Sequence, residues 1–187
     1  MRKETGLSLI ELTVVIAILG ITAIVVIPNF SSTDPQKLEL AAHTIAEAIR
    51  YARSESMRTG EIHAVLVDTD DADSLGKDIM VFKVDLTASP FGNAQTLYHP
   101  ISKQPYDLWL GKGSATRNVQ FASTTEPFSF DGVIGTKKYL HFTGAGVPVW
   151  VADGVLSRFT SGDINLTYGD QIRSVAIQPI TGRVQVQ

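Results

Sequence analysis

Glu11 is the only ionisable side chain in an apolar run that extends from Leu7 to Ile27. As a helix, that run rises roughly 30 Å, the thickness of a bilayer's hydrocarbon core. A carboxylate at such depth costs roughly 3 kcal/mol on insertion scales, so its partner has to be sought. The chemistry open to it is ion pairing. Ahead of the run lies a short polar head, Met1 to Gly6. A cut after Gly6 would give Leu7 a new α-amino group about one helical turn from Glu11. Within one chain the helix direction makes that pair awkward. Between parallel, slightly staggered helices, the amine of one chain can meet the carboxylate of the next, and neutralising the buried charge would drive assembly and set register.

The other chemistry-bearing residues form no catalytic pattern. His43, His63, His99 and His141 lack metal-ligand spacing such as H-E-x-x-H, and His43 with Glu47 at i,i+4 reads as a surface pair on a helix. Asp68, Asp70, Asp71, Asp73 and Asp78 crowd one loop, but a calcium-loop template started at Asp68 or Asp71 meets Ala72 or Leu75 at its fifth position. The acidic loop therefore reads as a solvated hairpin tip rather than a calcium loop. There are no cysteines, no G-x-S-x-G and no G-x-x-x-x-G-K-[ST]. Gly111-Lys112-Gly113 and Gly144-Ala145-Gly146 read as turns. Trp109, Trp150, Tyr106, Phe128 and Phe130 read as packing residues. The expectation is a non-enzyme with no metal and no cofactor.

Two patterns lay out the elements. Asp34-Pro35 gives an N-cap followed by proline at the first helical position. Leu38, Ala41, Ala42, Ile45, Ala48, Ile49, Ala52 and Met57 then recur at helical spacing, with charges on the other side, up to Gly60. Pro28 biases its predecessor away from helix, so a kink is expected there. Gly20 is the other candidate soft point, or a place where a neighbouring helix comes close. Beyond Ile62 the chain changes to short strands: 62–67, 79–84, 119–121, 139–142, 147–151, 164–168, 173–177 and 183–186. Pro179 to Gly182 reads as a hairpin turn. Residues 86–117 read as a long irregular loop with at most one short strand. The fold class expected is α+β: a long N-terminal helix, in a membrane half and an amphipathic half, packed on antiparallel sheets.

Gly6-Leu7-Ser8-Leu9-Ile10-Glu11-Leu12, followed by Val15 to Ile21 and Pro28, resembles the class III signal of type IV pilins and secretion pseudopilins. The resemblance implies that a prepilin peptidase cuts between Gly6 and Leu7 and methylates the amine of Leu7. It also implies that Glu11 serves subunit assembly. Leu7 stands where the family mostly has Phe, and Thr5 where a basic residue is usual. A second stretch, Leu40-Ala41-Ala42 and then Ile49 to Gly60, is similar to GspH/FimT-type pseudopilins, as is the ending from Val175 to Val184. These likenesses imply a minor pseudopilin of a type II secretion system, near the tip of a periplasmic pseudopilus. The alternative is a minor pilin of a FimT- or MSHA-like type IV pilus for adhesion or DNA uptake.

The boundaries that follow are 1–6 leader, 7–28 transmembrane and assembly helix, 29–60 amphipathic helix, and 61–187 periplasmic β-rich domain. Arg2 and Lys3 place the head in the cytoplasm and the rest outside, as a single-pass protein of the bacterial inner membrane. Expected partners are other pseudopilins, the prepilin peptidase and the inner membrane. The 187-residue chain has a formal net charge of −3. Residues 34–99 hold six basic and eleven acidic groups, and residues 100–187 eight basic and six acidic. That asymmetry suggests two faces. Lys137, Lys138, Arg158, Arg173 and Arg183 are candidates for a DNA-backbone patch, but Gln185 stands where a second arginine of a Gly-Arg-x-Arg motif would be. Nucleic acid is therefore not among the expected partners.

Overall fold

The structure, a computed structural model, describes residues 9–26, 34–69, 78–85, 95–111, 115–152 and 154–187. The chain divides into two units, residues 1–36 and 37–187.

In the first unit, Leu9–Val26 forms helix α1. Leu, Ile and Val fill all sides of it, so no amphipathic stripe develops. Its 18 residues rise about 27 Å. Among the described residues, no helix is by itself long and apolar enough to cross a membrane. Gly6, Leu7 and Pro28 lie outside the described residues.

Helix α2 spans Asp34–Thr59. It ends where the sequence places a stop: Gly60 adopts φ +75° and its N–H donates to the Ser56 carbonyl at 2.9 Å. One face of α2 buries Leu38, Ala41, Ala42, Ile45, Ala46, Ala48, Ile49 and Ala52. So many alanines let the helix axis approach the sheet closely, and larger strand residues fill the space. Those residues include Val65, Val81, Leu140, Phe142, Ile164, Leu166 and Val175.

The strands are β1 (His63–Val67), β2 (Ile79–Lys83), β3 (Gln95–Thr96), β4 (Asp107–Leu108), β5 (Gln120–Phe121), β6 (Phe128–Phe130), β7 (Tyr139–Phe142), β8 (Pro148–Ala152), β9 (Val155–Tyr168), β10 (Gln171–Ile177) and β11 (Val184–Val186). Their order is β11-β10-β9-β8-β7-β1-β2-β3, with β4 on β2 and with β5 and β6 on β9. The pairings between named strands are antiparallel. The architecture is thus α+β, a helix on a curled antiparallel sheet.

Four readings need correction. The strand expected at 164–168 is the end of a 14-residue strand. Its first part is rich in Ser, Thr and Gly, which conceals the alternation. Gly162 lets it pass the aromatic core, because a Cβ there would lie 2.8 Å from the Phe128 ring and 2.9 Å from that of Phe159. Residues 86–117 contain two short strands, β3 and β4, rather than one. His43 pairs with Glu39 at 3.0 Å, not with Glu47, because Glu39 also reaches Arg173 of β10 and is held on that side. Finally, Asp68 is not solvated. It is 3% exposed at the end of β1, and its N–H donates to the Asp78 carbonyl at 2.8 Å. The carboxylate of Asp78 accepts from the Leu110 N–H. Asp70, Asp71 and Asp73 lie outside the described residues.

Candidate assembly surfaces

α1 presents the first candidate surface. Its described side chains, Leu9 to Gly20, are all exposed within the chain. Leu9 is 84% exposed and Ile16 61%. Leaving a Leu or Ile side chain in water forgoes roughly 1.5–3 kcal/mol each. Glu11 lies in its first turn. Two residues on, the Thr13 hydroxyl donates to the Leu9 carbonyl at 2.8 Å. A Cβ on Gly20 would meet nothing within 4 Å, so packing inside the chain does not require glycine there.

In the second unit, three tethers fix α2 to the sheet. Arg50 Nη2 donates to the Val184 carbonyl at 3.0 Å. Arg53 Nε donates to the Gly146 carbonyl at 3.1 Å. Glu39 accepts from Arg173 Nε at 2.9 Å. The Arg173 hydrogen bond, aided by His43, holds the Glu39 carboxyl below its ordinary value against the opposing effect of burial. A fourth contact is aromatic: Tyr51 stacks on Tyr106 at 5.0 Å, and the Tyr51 hydroxyl donates to the Tyr98 carbonyl. Burial pushes the Tyr106 hydroxyl up to about 12, and the charge of Glu47 adds to that.

Where α2 ends, three chain segments meet that sequence reading treated as separate turns. A Cβ on Gly144 would lie 2.7 Å from the Gly60 carbonyl oxygen. One on Gly146 would lie 2.7 Å from Met57 Sδ. One on Gly182 would lie 3.1 Å from the Gly146 carbonyl oxygen. The glycine density of 144–146 was the available signal. It pointed to turns, and only the tertiary contacts show that the turns interlock.

The other sequence candidates disperse. Arg173 is held by Glu39, while Lys137 lies 6.0 Å over the Trp150 ring and donates to the Ile134 carbonyl. Tyr139, His141, Trp150 and Phe130 form a chain of ring contacts, and His141 is buried at its middle. Burial drives its imidazole down to about 4, although a hydrogen bond with the Val149 backbone works the other way. Trp109 is 42% exposed rather than packed away. Among the described residues, no group of three or more His or acidic side chains is arranged to hold a metal ion. A cleft of about 660 Å³ is lined by Gly60, Glu61, Ile62, Lys83, Val84, Asp85 and Gln95. Its lysine is engaged by Glu61 at 2.7 Å, and these lining residues pair no nucleophile with a base.

No protein-family model matches the chain, and no curated protein matches it. Among solved structures it is similar to the crystal structure of the Pseudomonas aeruginosa (strain PAO1) type IV minor pilin FimU. The identity is 17%, with a TM-score of 0.44 over 83% of this chain and 91% of that one.

Proposed function

We propose that this chain is a non-catalytic subunit of a type IV pilus-like assembly, specifically a minor pseudopilin of a type II secretion system. The observation that carries the reading is Glu11. It is a lone carboxylate in the first turn of a helix whose described apolar side chains, from Leu9 to Leu19, are exposed within the chain. The cover would be the inner membrane before assembly and other subunits' helices afterwards. Cleavage by a prepilin peptidase between Gly6 and Leu7, with methylation of Leu7, would supply the amine that neutralises Glu11 of a neighbour. The sheet-bearing unit would then contact other minor subunits on the periplasmic side, near the tip. Assembly force would come from another protein, since the sequence carries no phosphate-cradling loop.

Mass spectrometry of the protein recovered from native membranes tests this. The expected N-terminus is methylated Leu7. A protein that keeps Met1 to Gly6 overturns the proposal. Neighbouring genes separate the two related roles: a secretion operon fits the pseudopilin, and a pilus operon fits a type IV minor pilin.

A further inference from the structure

The stretch Asp163-Ile164-Asn165-Leu166-Thr167 contains an N-x-[ST] acceptor of N-linked glycans, with a carboxylate two residues ahead of the asparagine. The sequence holds one other such triplet, Asn29-Phe30-Ser31, which has Ile27 in place of the acid and lies outside the described residues. In β9 the side chains alternate. Ile164 and Leu166 are buried in the core, while Asp163 and Asn165 are exposed on the other face and Thr167 is half-buried there. The acceptor amide thus stands in solvent, and among the described residues none makes a hydrogen bond with it.

The surroundings leave room for a branched sugar. In register, Ser174 of β10 lies opposite Asn165, Ala176 opposite Asp163, and Gln120 of β5 opposite Thr167. Cross-strand partners share a face, so Asn165 is flanked by small or neutral polar side chains. Ile172, also opposite Thr167, is the one large apolar group among these partners. Beside Asn165 an open recess, whose lining includes Thr69, Ser123 and Thr125, offers hydroxyls to the first sugar. Protein association surfaces have a different make-up, with aromatic, Met and Arg side chains enriched at their centres.

The same geometry sets the order of events. The Asn165 carbonyl accepts from the Ala122 N–H at 2.8 Å, and the Thr167 hydroxyl donates to the Gly169 carbonyl at 3.1 Å. A transferase that reads the threonine hydroxyl and grips the backbone needs these groups unpaired. Transfer therefore precedes the closure of β5 and β10 on β9. The folded unit then carries the product on a side chain that already points to solvent.

We propose that Asn165 is an N-glycosylation site, loaded from an oligosaccharide carried on a polyprenyl diphosphate. The Asn165 Nδ2 attacks the anomeric carbon of that donor. A C–N bond forms and the bond from the anomeric carbon to the diphosphate oxygen breaks. The diphosphate leaves with the electron pair, and one amide proton passes to a base of the transferase. Asp163 gives the transferase an anionic handle beside the acceptor. The site requires the extracytoplasmic placement proposed above for the sheet-bearing unit. It makes the outer face of β9 and β10 a solvent side of the assembled subunit.

Trypsin isolates the site on residues 159–173, in which Asn165 is the single asparagine. In full-length protein recovered from native membranes, tandem mass spectrometry of that peptide is expected to find an oligosaccharide increment on Asn165. Asn165→Gln and Thr167→Ala should each abolish the increment, and Thr167→Ser should keep it. Asp163→Ala should lower it, and an unchanged increment there removes the acid from recognition. Unmodified Asn165 throughout the native protein overturns the site. So does an increment on this peptide that survives Asn165→Gln or Thr167→Ala, since the sugar would then be joined elsewhere or without the hydroxyl. The N-terminal mass is read from the same sample. Methylated Leu7 with unmodified Asn165 sinks the glycan site alone, and an uncut N-terminus with a glycan on Asn165 sinks the pilin-like reading alone.

Discussion

Arg53 and Gly146, far apart in sequence, meet where α2 ends: the guanidinium Nε donates to the Gly146 carbonyl at 3.1 Å. Gly146 itself adopts φ +74° and leaves Met57 room that a side chain would take. One helix end thereby locks the β7–β8 turn, which in turn supports the β10–β11 turn through Gly182.

Substitution at this junction is expected to be costly. Gly144→Ala would drive a Cβ against the Gly60 backbone, which cannot swing aside as a side chain can. Gly146→Ala adds a left-handed backbone conformation to the clash. Each should lose about 1–3 kcal/mol in denaturant unfolding. Gly20→Ala, with open space around it, should be neutral or favour α1 by up to about 1 kcal/mol. A Gly144→Ala protein as stable as the parent would refute the close approach.

Ser56 is fully buried and joins helix to strand. Its hydroxyl donates to the Ala52 carbonyl at 3.0 Å and accepts from the His63 N–H at 3.1 Å. Ser56→Ala leaves that buried N–H without its acceptor, and a loss of about 1–3 kcal/mol is expected. Ser54→Ala, on the exposed side of α2, should stay within about 0.5 kcal/mol. The two variants compared by urea titration decide the matter, and equal stabilities would count against the bridge.

His141 gives the fold an acid-sensitive component. Its folded imidazole titrates near 4 against an ordinary value of 6.5, because burial penalises the charged form. Above pH 6.5 both folded and unfolded states are neutral there, and the stability is fully present. As pH falls from 6.5 towards 4, only the unfolded chain takes up the proton, and stability falls. The loss approaches the order of 3 kcal/mol at the acid end. His141→Phe keeps a ring against Trp150 and should flatten this part of a stability–pH curve. Parallel curves for parent and variant would show that another group is responsible.

Glu11→Ala removes the charge without adding a polar group to α1. The variant is expected to reach the membrane and be cut, yet to be recovered in assembled fractions at a level reduced about tenfold or more. That reduction corresponds to the loss of roughly 1.4 kcal/mol or more of ion pairing. Wild-type levels of variant in the assembled fraction, measured by quantitative blotting, would remove Glu11 from assembly.

Local residue types made much of the second unit legible. Asp34-Pro35, the alanine-rich apolar stripe and Gly60 delimit α2 because caps and periodicity act within one or two turns. The hairpin at Pro179 to Gly182 was readable for the same reason, and so were β1, β2, β7, β8 and β10. The short β5 and β11 were readable too, but β3, β4 and β6 were not: they form where β2 and β9 offer hydrogen bonds. The polar half of β9 is a strand because β8 and β6 flank it. Asp68 looked solvated beside other aspartates, and its burial follows from the ladder that joins it to Asp78.

What the sequence determined alone is the set of local properties: an apolar helix bearing one acid, an amphipathic helix with its caps, and a run of strand-forming segments. These depend on side-chain type and near-neighbour spacing. Which segments meet was decided only by the tertiary structure. His43 pairs with Glu39, which also holds Arg173, rather than with Glu47, and Gly60, Gly144, Gly146 and Gly182 come to one junction. Long-range pairing depends on how all the strands share one core, and no short stretch of chain contains that information.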